Sequence, residues 1–113
     1  MQRRATTDIE IIHEAIIDAQ QFTAGKSFDE YLGDDLTRFA TERVLEKIGS
    51  AIRRMQVRKN AAVARLSQAE KFVHLSNVLL YEYDAVPHRD VWSTIQQDLS
   101  KLLADVDALA KNQ

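Results

Sequence analysis

Apolar residues return every three or four positions along almost the whole chain, the spacing of one buried face of an α-helix. Ile9, Ile12, Ile16, Ala19 and Phe22 predict a first helix, and Ile11 and Ile17 widen its apolar face beyond what one core contact needs. Ala24-Gly25-Lys26 closes it. Ser27 and Glu30 stand in capping-box register over a short helical turn. Asp34 or Asp35 can cap a second long helix, whose stripe is Leu36, Phe39, Ala40, Val44, Ile48, Ile52 and Met55. Residues 56–66 are less regular and leave room for one short helix. Ser67 and Glu70 repeat the capping-box pattern and open a helix carrying Phe72, Leu75, Val78, Leu79 and Tyr83. Asp84 to His88, with Pro87, is a break. A last helix runs from about Asp90 to Ala110, with Trp92, Ile95, Leu99, Leu102, Val106 and Leu109 in the 3-4 spacing of a bundle seam. The expected fold is all-α: a four-helix-type up-and-down bundle with extra short helices, in one domain spanning residues 1–113.

Composition narrows the function classes. The chain has no cysteine, which removes disulfide frameworks and thiolate metal sites and fits a reducing compartment. Met1-Gln2-Arg3-Arg4 is basic, but Asp8, Glu10, His13 and Glu14 interrupt the apolar run a secretory signal needs. No stretch approaches the roughly 20 apolar residues of a membrane span. The expectation is a soluble cytoplasmic protein with no membrane contact.

The net charge of −2 asks for no nucleic-acid partner, yet the charges are segregated. Arg53, Arg54, Arg58, Lys59, Arg65 and Lys71 fall in a stretch whose only acid is Glu70. Such a stretch can hold phosphates, with Arg53, Arg54, Arg58 and Lys59 the candidate RNA contacts, or it can be a solvated face.

Candidate chemistry is sparse. His13, His74 and His88 fall in no ligand spacing with one another, so no metal site and no cofactor is expected. Gly25, Gly33 and Gly49 are too scattered for a phosphate loop. Between residues 74 and 83 the helical period puts His74, Asn77 and Tyr81 on one face, where they could converge. The plain alternative is that Asn77 and Tyr81 bond beside the core while His74 is solvated.

The stretch Ser76-Asn77-Val78-Leu79-Leu80-Tyr81-Glu82-Tyr83, followed by Val91-Trp92 and Asp98-Leu99, resembles the Arg-Asn-x-Leu-x-His-x-Tyr segment and final helix of the HepT-like (HEPN) family of prokaryotic ribonuclease toxins. Tyr31-Leu32 looks like that family's first inter-helix segment. Arg43 to Ala51 looks like its second long helix, with Ser50 where an acid is usual. The resemblance implies a HEPN-like homodimeric bundle, metal-independent RNA cleavage, and pairing with an MNT nucleotidyltransferase-like antitoxin. It also implies that Tyr83 is the tyrosine this partner modifies with AMP.

The departures fall on the reactive pair. The family's arginine position is Ser76, which brings no charge to a phosphate, and its histidine position is Tyr81. A phenol loses its proton only near pH 10, so it is no base near neutrality. Whether the chain is an enzyme therefore stays open at this point. The first expectation is a toxin-family protein with lost or impaired ribonuclease activity. The second is cleavage through a substitute set of His74, Tyr81 and Arg43, Arg53 or Arg54. The third is a non-catalytic helical adaptor whose likeness is one of fold alone.

Overall fold

The computed structural model describes residues 7–111, so the basic Met1–Arg4 segment lies outside the described residues. Among those residues there are α-helices and 3₁₀ turns and no strand. Thr7 caps α1 (Asp8–Thr23) by accepting the Glu10 N–H at 3.1 Å. The Ser27–Glu30 capping box forms in both directions and starts α2 (Phe28–Gly33). Asp34, rather than Asp35, caps α3 (Asp35–Val57), accepting both the N–H and the hydroxyl of Thr37. A 3₁₀ turn, Ala61–Arg65, leads into α4 (Ala69–Tyr81). A second 3₁₀ turn, Tyr83–Ala85, then precedes α5 (His88–Gln97) and α6 (Leu99–Lys111).

Cross-links between the helices fix an up-and-down bundle. Asp8 at the start of α1 meets Arg54 and Arg58 at the end of α3, at 2.9 and 3.1 Å. Gln56, late in α3, bonds Glu70, early in α4. The Ser67 N–H and Lys71 before and within α4 reach Asp105 and Asp98 of the last helical pair. His13 of α1 faces Asp107 of α6. Neighbours therefore run antiparallel, and α3 lies between α1 and α4. The core joins Ile12, Ile16, Leu45, Ile48, Ile52, Phe72, Leu99, Leu102 and Val106, all fully buried. Gly49 lets α3 and α4 approach closely, because the space a Cβ would need is taken by Ser76 and the Phe72 carbonyl.

Several sequence expectations change. Ser67 and Glu70 form no capping box: Gln68 precedes α4 with left-handed backbone and no side-chain cap, since the Ser67 N–H is committed to Asp105. Tyr83 lies beyond α4 rather than on it. The last helix begins at His88 and is interrupted at Asp98, whose carboxylate is drawn to Lys71 at 2.7 Å. Trp92 is half-buried, against Tyr31 and Phe28, whereas Ile95, Leu99, Leu102 and Val106 are buried. Phe22, Leu36 and Phe39 are exposed, Leu36 to 83%. They sit at the end of the bundle, where burial along α3 begins only at Thr41.

Candidate functional site

The motif segment occupies the last two turns of α4, and the helix sends its side chains in different directions. Ser76 is 3% exposed, its Oγ donates to the Val73 carbonyl, and it packs on Gly49. Asn77 is half-buried and Tyr81 is 80% exposed. His74 is exposed and lines a shallow cavity of about 200 Å³ with Lys71, Val78, Pro87 and Asp90, a cavity whose lining does not include Tyr81. The seven-residue step from His74 to Tyr81 spans about 10 Å of helix. The substitute set built on these two side chains is thus not brought to one centre.

The basic stretch is also remote. Antiparallel packing sets Glu42 of α3 beside Tyr83, as their hydrogen bond requires. Arg53 to Arg58 lie 11 to 16 residues further along α3, about 17–24 Å away. Arg54 and Arg58 clamp Asp8, while Arg53 and Lys59 are exposed. Arg43 and Arg54 line a groove between α1 and α3 together with Lys47, Ser50 and Glu14, and Arg43 faces Glu46 at 3.9 Å.

What converges on Tyr83 is a different group of residues. The Tyr83 hydroxyl donates to Glu42 Oε1 at 2.8 Å, and Glu42 is only 5% exposed. His88, the first residue of α5, turns Nδ1 toward Glu42 Oε2 at 3.7 Å, and its ring meets the Tyr83 ring edge-on. Arg38 donates to the Leu32 carbonyl and holds Asp35 at 2.8 Å, and its charge lies near enough to act on Tyr83. Tyr31, fully buried in α2, lies close enough to feel the Glu42 and Arg38 charges.

Among the described residues, the buried side-chain atoms without a hydrogen-bond partner are Tyr31 Oη, Arg38 Nε, Glu42 Oε2 and His88 Nδ1. All belong to this cluster. Buried polar atoms are nearly always satisfied, so their concentration at one place makes this cluster the candidate site. Burial, reinforced by the hydrogen bond to the Glu42 carboxylate, pushes the Tyr83 phenol above its ordinary value. Burial does the same to Tyr31, again with help from Glu42.

Chemically, the cluster offers a carboxylate, an imidazole, a guanidinium and two phenols without a metal. Among the described residues, no three histidine or carboxylate side chains are placed to hold a metal ion, and no helix is long and apolar enough to cross a membrane. Sequence reasoning missed Arg38, Glu42 and His88 as a unit. The available signal was a base and an acid four residues apart at Arg38 and Glu42 and a histidine directly after Pro87.

Comparison with known proteins gives a consistent picture. The family profile described as ribonuclease HepT-like matches residues 12–109. The chain is 29% identical over 111 residues to a probable ribonuclease HepT of Thermococcus cleftensis, covering 98% of this chain and all of that one. It is 26% identical over 96 residues to a putative RNase of Methanocaldococcus jannaschii, covering 85% and 87% of the two chains. No solved structure matches it significantly.

Proposed function

The chain belongs to the HepT-like ribonuclease family, and from that premise we propose that it is a cytoplasmic toxin-family protein whose RNA cleavage is strongly impaired. Its surfaces for a second copy, for RNA and for an MNT nucleotidyltransferase-like antitoxin persist in this reading. The observation that carries it is the state of the motif: the arginine position is a buried neutral Ser76, and the histidine position is the solvated phenol of Tyr81. Loss of a positioned acid–base group costs about 10²–10⁴ in rate. Loss of a charge-stabilising donor costs about 10²–10³ more.

The homodimer proposal is supported by Leu36, Phe39, Leu80 and Tyr81, apolar or aromatic side chains exposed around the Tyr83 end of the bundle. Exposed apolar side chains gathered at one end suit burial by a partner. Tyr83, itself 42% exposed, stands among them as the proposed site of modification by the antitoxin. Arg53 and Lys59 at the far end remain the proposed weak RNA contacts, with Arg54 and Arg58 contributing only through what their pairing with Asp8 leaves open.

The test compares cleavage of a labelled oligoribonucleotide by the native chain and by the double variant Ser76→Arg, Tyr81→His. Arginine offers phosphate a permanent planar fork; position 81 is open to solvent, while position 76 is buried against Gly49 and a longer side chain must displace that packing, so melting curves accompany the assay. Restoration by about 10²-fold or more is expected. A native chain that already cuts as fast as the double variant would refute impairment. Sedimentation and co-purification with a co-expressed MNT-type nucleotidyltransferase test the two protein surfaces.

A further inference from the structure

We propose that His88, backed by Glu42, is the acid–base group for a residual, metal-independent cleavage of single-stranded RNA, at a site distinct from the motif positions 76 and 81. The proposal rests on the RNA-acting reading above and adds to it the residues that still carry chemistry.

Two observations converge on His88. Its Nδ1 is buried and unpartnered, 3.7 Å from a Glu42 oxygen that is also buried and unpartnered. Its side chain is 30% exposed, so with Nδ1 turned inward the Nε2 edge is the one that meets solvent. A carboxylate behind Nδ1 fixes which nitrogen carries the proton and stabilises the imidazolium formed when Nε2 takes another. At 3.7 Å the two atoms share no hydrogen bond, and catalytic contacts of this kind tighten once substrate arrives.

The surroundings suit a phosphodiester. His88 opens α5, and Pro87 before it supplies no capping side chain. The imidazole therefore stands at the positive end of a helix, with Arg89 next to it. The charged and titratable groups around it are Glu42 and Arg38 from α3, Tyr83 from the 3₁₀ turn, Tyr31 from α2, and Arg89 and Asp90 on its own helix. Asp90 lines the cavity shared with His74 on the α4 side. The Glu42 charge is shared between the Tyr83 hydroxyl and His88, which limits its repulsion of an incoming phosphate. Glu42 acts here as a positioning residue.

The step balances without a co-reactant. Neutral His88 Nε2 takes the proton of a ribose 2′-hydroxyl, and the 2′-oxygen forms a bond to the adjacent phosphorus. The bond from phosphorus to the 5′-oxygen of the next nucleotide breaks, and that oxygen leaves with the proton returned by the imidazolium. The products are a 2′,3′-cyclic phosphate and a 5′-hydroxyl end. DNA of the same sequence lacks the nucleophile and stays intact.

The experiment uses the full chain at high concentration with excess EDTA and an end-labelled oligoribonucleotide. Slow cleavage leaving a cyclic phosphate is expected, reduced at least about 10²-fold by His88→Gln and unchanged by His13→Gln, which faces Asp107 of α6. Glu42→Gln keeps the shape and an acceptor for Tyr83. It is expected to retain part of the activity, the loss falling on kcat with KM unchanged, a split that simple loosening of the fold would not produce. Full activity in His88→Gln, or loss of activity in His74→Gln instead, overturns the assignment. A native chain that cuts nothing, while still binding the nucleotidyltransferase, also overturns it and leaves the proposed function standing as complete inactivation. Unchanged melting curves for the variants separate chemistry from unfolding.

Discussion

Gly49→Ala puts the close approach of α3 and α4 to a test in which two physical effects predict opposite signs. In an exposed helix interior, alanine is more favourable than glycine by about 1 kcal/mol. At Gly49, however, a Cβ would lie 2.3 Å from Ser76 Oγ, 2.4 Å from Ser76 Cβ and 2.5 Å from the Phe72 carbonyl oxygen. The carbonyl belongs to the backbone of α4 and cannot rotate away, so the helices must part by about 1 Å to reach ordinary contact. Overpacking of this kind costs about 1–3 kcal/mol, and a backbone obstacle puts it at the upper end. The net loss is about 2 kcal/mol after the propensity gain, or roughly 6–12 °C in Tm for a chain of this size. Circular dichroism melts and urea titrations measure it. Adding Ser76→Gly removes two of the three contacts and leaves the Phe72 carbonyl, so it should recover only part of the loss. A Tm that stays level or rises in Gly49→Ala would refute the argument. The separation also matters to the site, because the depth of α4 against α3 sets how Tyr83 reaches Glu42.

Ultraviolet titration should find late-ionising phenols: burial first, then the Glu42 carboxylate, holds Tyr31 and Tyr83 above the ordinary value near 10, and Tyr83→Phe should delete one late step. Because both folded values are raised, the stability they contribute is complete below about pH 10 and is lost as pH climbs through the folded values; complete phenol ionisation by about pH 10.5 would contradict this. Asp34 behaves oppositely, since the Thr37 hydroxyl and then its N–H hold the carboxyl below its usual range. Its contribution is present above the ordinary carboxylate value and lost as pH falls through the lowered one, so Asp34→Ala should lower the urea midpoint at pH 7 by more than it does in acid. Asp8→Ala, which frees Arg54 and Arg58, should cost about 1 kcal/mol at low salt and less at 1 M salt, because both partners are substantially solvated; a salt-independent loss would point to packing instead.

Periodicity made the helices legible, because each must bury a stripe and the stripe's spacing is written in the chain. Apolar type alone does not say which positions turn outward. Leu36 and Phe39 lie about 80–180° around α3 from Val44 and Ile48, and both are exposed. The breaks at Gln68 and Asp98 come from partners 27 to 38 residues away, Lys71 for Asp98 and Asp105 for the Ser67 N–H, beyond the reach of any local signal. Arg38 and Glu42, four apart on a helix, have the spacing of an ordinary surface ion pair. They are instead covered, because Tyr31 from α2, Tyr83 from a 3₁₀ turn and His88 from α5 close over them. A site assembled from separate segments leaves no linear motif. The motif that is visible in the chain runs along α4, where one turn cannot aim Ser76, Asn77 and Tyr81 at the same point. Its last residue, Tyr83, lies beyond the helix, and the groups able to move a proton gather around that one.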